Sequence, residues 1–118
     1  MAANDSLFGV HGAALQVRAQ RMNLIASNIA NASTPGFKAR DLDFDAAMSA
    51  IEQPTNGFGA DFESATRYRI PLQPSLDGNT VELNHEQTAF AENAVAYQTT
   101  LSFLNGRINT LTRALKGE

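Results

Sequence analysis

Asp41, Asp43 and Asp45, followed by Glu52, come nearest of any residues in this chain to the spacing of a chemical site. Counted from Asp41, they fall at positions 1, 3, 5 and 12 of a calcium-binding EF loop. The match fails at position 6, where Ala46 replaces the glycine that the sharp turn requires. It fails again upstream, where Pro35-Gly36 interrupts the helix that should enter the loop. These acids read as helix caps and solvated charges. His11 and His85 are far apart, and neither has a second ligand at metal spacing. The absence of cysteine removes disulfides, thiolate nucleophiles and cysteine-based metal sites. No serine or threonine lies in a nucleophile elbow, and no glycine-rich phosphate loop follows a strand. Gly57-Phe58-Gly59 reads as a flexible loop. No enzymatic activity, metal or cofactor is expected.

The 118 residues suffice for one domain, or for one elongated unit completed by its neighbours. No run approaches the roughly 18 apolar residues of a membrane span. Met1–Asp5 offers no positive region and Ala13–Val17 is too short an apolar stretch for a secretory signal, so a protein leaving the cytoplasm would need another route. The net charge of −3 is unevenly distributed. Between Ser6 and Arg40 there are four bases and no acid; between Asp41 and Glu63 there are six acids and no base. The bases are neither clustered nor interleaved with aromatics, so no nucleic-acid partner is expected.

The elements that carry these residues begin with a helix predicted over 6–33, capped by Asp5 or Ser6. Its apolar residues fall in seven-residue rows, Phe8-Leu15-Met22-Ile29 and Val10-Val17-Leu24, and with Ile25 they cover an arc of roughly 200°, wider than a one-sided surface helix needs. One row can face a partner inside the chain and the other a partner outside it. Gly9 and Gly12 each cost about 1 kcal/mol relative to alanine within a helix. The helix then meets a stop: Ser27, Asn28, Asn31 and Ser33 offer the backbone local partners, Thr34 precedes a proline, and Pro35-Gly36 suits the centre of a type II turn.

Residues 34–82 form an expected irregular connector. Phe37–Phe44 suits an extended segment with Leu42 and Phe44 on one face, and Asp43 or Asp45 then caps a short helix near 46–52. Six prolines and glycines, Pro54, Gly57, Gly59, Pro71, Pro74 and Gly78, leave room for an extended segment at Thr66–Leu72 and little else. So long a loop suits a chain laid out on neighbouring subunits. Phe58, Phe62 and Tyr68 can anchor it there, or can fold back on the chain's own helices.

The strongest periodicity lies in the helix predicted over 83–116, opened by a capping box at Asn84 and Gln87. Leu83, Phe90, Tyr97, Leu104 and Leu111 recur every seven residues, as do Gln87, Ala94, Leu101, Ile108 and Leu115, at the 3/4 offset of a coiled-coil seam. Acids at its start and Arg107, Arg113 and Lys116 at its end complement the helix dipole. Flanking positions are nearly uncharged, and Val95 and Phe103 lie off the seam, so the helix is suited to several neighbours. The fold class expected is all-α: long terminal helices packed as an antiparallel coiled-coil-like pair around an irregular, extended middle, one elongated subunit over 1–118. Folding back places residue 33 near residue 83 and Arg21 within a turn of Glu92 or Tyr97.

The segment Asn28-Ile29-Ala30-Asn31-Ala32-Ser33-Thr34-Pro35-Gly36-Phe37-Lys38 resembles the signature of the axial proteins of the bacterial flagellum, the rod, hook and hook-associated proteins. Arg18 and Arg21 leading into it, Ala39–Phe44 after it, and the far stretches Asp77–Leu83 and Ala91–Gln98 are similar to the proximal-rod members of that family. The resemblance covers about residues 13–45 and 76–115. Hook and distal-rod proteins share the first signature but carry a different C-terminal helix motif and a longer middle. Departures are small: Phe37 where tyrosine is frequent, and Asn84-His85 where an acid and a base are frequent. The resemblance implies a structural subunit of the proximal rod of the basal body, exported by the flagellar type III apparatus. It implies as partners other copies of itself, other rod proteins and the adaptor joining rod to MS ring. Assembly is expected to rest on Leu15, Val17, Arg21, Met22, Leu24, Ile25, Asn28, Ile29, Asn31, Thr34, Pro35, Gly36 and Phe37. On the second helix it is expected to rest on Phe90, Ala94, Tyr97, Leu101, Leu104, Ile108, Leu111 and Leu115. A different class, a soluble helical adaptor binding one partner through the 83–115 seam, would need only one amphipathic helix, whereas both ends of this chain are multi-faced.

Overall fold

The computed structural model describes residues 9–52 and 58–117, with side chains over 9–51 and 62–117. Helix α1 spans Gly9–Ala30, strand β1 Arg40–Leu42, α2 Phe44–Glu52, α3 Phe58–Ala65, β2 Thr66–Tyr68 and α4 Leu83–Lys116. The fold is helical and extended, 64 × 30 × 18 Å along its principal axes. The 34 residues of α4, at 1.5 Å each, account for about 51 Å of that length.

The two long helices run antiparallel. His11 stacks on Phe103 with ring centroids 5.5 Å apart, Asn93 Nδ2 donates to the Arg18 carbonyl at 2.9 Å, and Asn28 Nδ2 reaches the Glu86 carboxylate. Partners descend along one helix as they ascend along the other. Arg21 therefore lies opposite Glu92, near enough for that carboxylate to favour its charge, yet its hydrogen bonds go to Asp41 on β1.

Helix α1 stops three residues before the expected end at 33, where its last turn tightens to bonds three residues apart, from Asn31 N–H to the Asn28 carbonyl and from Ala32 N–H to the Ile29 carbonyl, and side chains add to the stop. Asn31 Nδ2 donates back to the Ser27 carbonyl and Thr34 Oγ1 to Asn31 Oδ1. The predicted type II turn follows: Phe37 N–H donates to the Thr34 carbonyl, with Gly36 at φ +75° in the third position. The proposed cap at Asp5 or Ser6 and the apolar Phe8 lie outside the described residues.

The connector holds more regular structure than its prolines and glycines suggest. Asp43, of the two candidate caps, is the one used: its Oδ1 accepts from Ala46 N–H at 3.1 Å, so α2 begins at Phe44 rather than Ala46. β1 and β2 pair antiparallel with Arg40 opposite Tyr68 and Leu42 opposite Thr66, and the eight-residue α3 precedes β2. Neither the strand pairing nor α3 was expected. Both are stabilised by the core they help to close, where Val17 and Leu24 of α1 meet Leu42, Ala47, Phe62 and Ala65. Phe62 thus folds back on its own chain, while Tyr68 stays exposed and the side chain of Phe58 lies outside the described residues.

The capping box at Asn84 is not formed. α4 spans the expected 83–116, but its N-cap is Glu82, two residues before Asn84, and no side chain caps it there. The Glu82 carboxylate accepts instead from Leu72 N–H at 3.2 Å, which ties the connector's return path to the helix start.

Candidate assembly interface

The face that α4 turns toward α1 is polar. Its buried residues are Glu86, Ala89, Asn93 and Thr100, one position short of the expected row Gln87-Ala94-Leu101 on the helical wheel. Glu86 is fully buried and Asn28 opposite it nearly so. The Asn28 Nδ2 lies 3.0 and 3.1 Å from the two Glu86 oxygens and 2.8 Å from the Arg40 carbonyl, while its Oδ1 accepts from Arg40 N–H. Arg69 Nη2 pairs with Glu86 at 2.8 Å and with Asp41 at 3.2 Å. Arg21 grips both Asp41 oxygens, at 2.8 and 3.0 Å. Two arginines and two carboxylates thus balance in one partly buried network that spans α1, β1, the β2 exit and α4. Burial pushes the Asp41 carboxyl up, but the Arg21 hydrogen bond, the Leu42 N–H and the charges of both arginines outweigh it and hold the group below its usual range.

A second polar assembly closes the end of the helix pair. Asn79 is buried, and its Nδ2 lies 2.9, 3.1 and 2.7 Å from the carbonyls of Asn31, Ala32 and Thr34. These carbonyls lie in the turn that follows α1, and two of them, of Asn31 and Thr34, also accept a backbone N–H. The Asn79 Oδ1 accepts from Val81 N–H, so one side chain joins the exit of α1 to the approach of α4. Gly36 N–H donates to the Asp77 carbonyl at 2.9 Å, and a Cβ on Gly78, at φ +78°, would lie 3.6 Å from Gly36 Cα. The two glycine turns of the chain are thus packed on each other.

With the polar face inside, the apolar rows of α4 are left facing outward. Leu83, Phe90, Val95, Phe103, Ile108, Leu111 and Leu115 are all exposed, and Ala94, Tyr97, Leu101 and Leu104 are half-buried. On α1, Val17, Leu24, Ile25 and Asn28 are buried, whereas Leu15, Arg21, Met22 and Ile29 are half-buried. In the turn, Asn31 and Phe37 are half-buried and Thr34, Pro35 and Gly36 exposed. Beyond Phe103, α4 continues past the described start of α1. Between α1, α2 and α4 lies an open groove of about 430 Å³ lined by His11, Ala14, Arg18, Phe44, Thr100 and Phe103 among others; Arg18 rests on the Phe44 ring there at 4.7 Å. Sequence reasoning missed Arg69, Asn79, Glu86 and Asn93, and read Asp41 only as a solvated acid. The available signal was the polar heptad Glu86-Asn93-Thr100, parallel to the apolar rows.

An antiparallel helix pair locked by polar groups, with apolar rows turned outward, has the form of a subunit built to pack against neighbours. Comparison with known proteins makes the class particular. Residues 8–38 match the profile of the flagella basal body rod proteins. The chain is 46% identical to the flagellar basal body rod protein FlgB of Aeromonas hydrophila over 97% of its own length and 96% of the relative's. It is 48% identical to that of Cereibacter sphaeroides, covering 93% and 94%, and 40% identical to that of Escherichia coli K12, covering 87% and 88%. The chain belongs to the FlgB family of flagellar basal body rod proteins. It is a structural component of the rod, associated with other rod proteins.

Proposed function

We propose that this chain is a subunit of the proximal rod that leaves the cytoplasm through the flagellar type III apparatus and polymerises through its terminal helices. Its partners in this reading are further copies, other rod subunits and the adaptor that joins the rod to the MS ring. The observation that carries it is the outward-facing apolar surface along α4, from Leu83 to Leu115. So many exposed large apolar side chains along one helix, Leu83, Phe90, Ile108, Leu111 and Leu115 on the same side of it, suit an interaction site. Contacts between unlike faces of such subunits build open helical assemblies rather than closed dimers. Rod stiffness under torque then arises from many lateral helix contacts, each adding to a subunit whose own core is small. Deletion of the gene should abolish motility and leave basal bodies without rods. A motile deletion strain would end this reading.

A further inference from the structure

The groove between α1, α2 and α4 opens beside the start of α1. Val10, His11, Ala14 and Arg18 line it on one face of that helix, over about 12 Å of its length. Phe44 and Met48 of α2 and Phe103 of α4 form its apolar walls, and Phe103 is 61% exposed. Arg18 makes no ion pair among the described residues, and its Nε is buried without a hydrogen-bond partner. The chain enters α1 at the open end of this groove through Gly9. Its φ of +55° lies in the left-handed region, outside the helical range, so the chain changes direction there.

We infer that residues 5–8 fold back from Gly9 along this groove of their own chain, with Leu7 and Phe8 on its apolar walls and the Asp5 carboxylate on the Arg18 guanidinium. Three features favour this occupant. Leu7 and Phe8 supply apolar bulk next to the turn. Asp5 is the one acid in residues 1–40, and the groove it would enter holds a guanidinium and no carboxylate. The reach also fits. Four extended residues from Gly9 to Asp5 span about 13 Å, the helix from Gly9 to Arg18 is also about 13 Å long, and an arginine on a helix leans back toward the N-terminus. The contact lies within one chain and stands apart from the rod reading. It covers the Phe44 and Phe103 rings and ties α2 and α4 to the start of α1, where Gly9 and Gly12 weaken the helix.

The chain contains no cysteine, so introduced thiols report single positions. Ser6→Cys is combined either with Thr99→Cys, on the groove rim, or with Ile108→Cys. By the pairing of His11 with Phe103, a straight continuation of α1 would bring residue 6 to residue 108. Each full-length double variant is treated, in dilute solution, with a short bismaleimide spacer. The expected result is an intrachain 6–99 product that forms well ahead of any 6–108 product. Asp5→Asn should slow the 6–99 reaction about threefold, the size of a half-exposed ion pair, and Asp5→Glu should restore it. Gly9→Ala, which meets no neighbouring atom but is strained at a positive φ, should slow it as well. A dominant 6–108 product would overturn the inference by showing that α1 runs on straight. A 6–99 bridge found only between two chains would overturn it in favour of a second copy's segment. A rate unchanged by Asp5→Asn, or the absence of both products, would equally overturn it.

Discussion

Asn28 on α1 and Glu86 on α4 meet inside the helix pair, the amide nitrogen 3.0 and 3.1 Å from the two carboxylate oxygens, with both residues buried. This contact sets the register. A seven-residue repeat on each helix would by itself tolerate a slip of one heptad between them. The Asn28–Glu86 pair does not: a slip one way sets Glu86 opposite Pro35, which has no donor, and the other way opposite Arg21, which would have to leave Asp41. Polar groups at a helix seam have their best-attested use in fixing register, and Arg69 and Arg21 extend that control to the connector.

Asn28→Ala should therefore cost more than an ordinary buried truncation. It leaves the Glu86 carboxylate with Arg69 alone and strips Arg40 N–H of its acceptor. Breaking one side of a buried charged network costs roughly 3 kcal/mol. Urea unfolding followed by helical circular dichroism should show that loss. Asn28→Asp, which sets two carboxylates together, should be less stable still. A cost below about 0.5 kcal/mol for Asn28→Ala, the size of a surface change, would remove Asn28 from the register-setting role.

Asp41 makes stability sensitive to acid. Its folded pKa lies below its ordinary 3.8, so the stabilisation is present above 3.8 and is lost as the pH falls through the lower, folded value. Asp41→Asn should be less stable at neutral pH and show a shallower loss of stability below pH 4, because the titrating group is gone. Equal acid slopes for the two proteins would show that other carboxylates dominate.

The helices were legible in the sequence, as was the stop at Thr34-Pro35-Gly36, because seven-residue periodicity and proline chemistry are local signals. The inward face of α4 was not. Nothing local marks Glu86, Asn93 and Thr100 as inward: Glu86 is buried because Asn28 and Arg69 arrive from 58 and 17 residues earlier, Asn93 because the Arg18 carbonyl accepts its Nδ2, and Thr100 bonds back to the Ala96 carbonyl. The strand pair is three residues long on each side, too short for alternation to register. α3 begins at Phe58 amid glycines that mark loops, and its burial of Phe62 and Ala65 overrides that preference.

Asn79→Ala tests the closure of the helix pair. The change removes the donor shared by three carbonyls at the end of α1 and the acceptor for Val81 N–H. At about 1 kcal/mol for each net hydrogen bond, the loss should be roughly 2–3 kcal/mol. Hydrogen exchange should rise most at residues 34–39 and 79–86, which the Asn79 turn connects, and least in the middle of α4. Uniform loss of protection along the whole chain would mean that the turn acts only through global stability.

Folding and assembly should separate cleanly along α4. Ile108 is 40% exposed and lies beyond the last described contact with α1, so a charge there stays hydrated in the free subunit. Its cost to folding should stay within about 0.5 kcal/mol. Leu24, by contrast, is buried in the core with Val17 and Phe62, where an unpaired charge costs several kcal/mol. Leu24→Asp should therefore unfold the subunit. Ile108→Asp should be made, keep its melting transition, leave the cytoplasm and yet be missing from purified rods, with motility lost. Gln98→Asp, on an already polar and exposed stretch, is the matched control and should incorporate normally. In the proposed reading export acts on an unfolded chain, so the level of Ile108→Asp protein outside the cytoplasm should equal the parent's. Normal incorporation of Ile108→Asp would show that the outward rows of α4 are not the surface on which the rod is built.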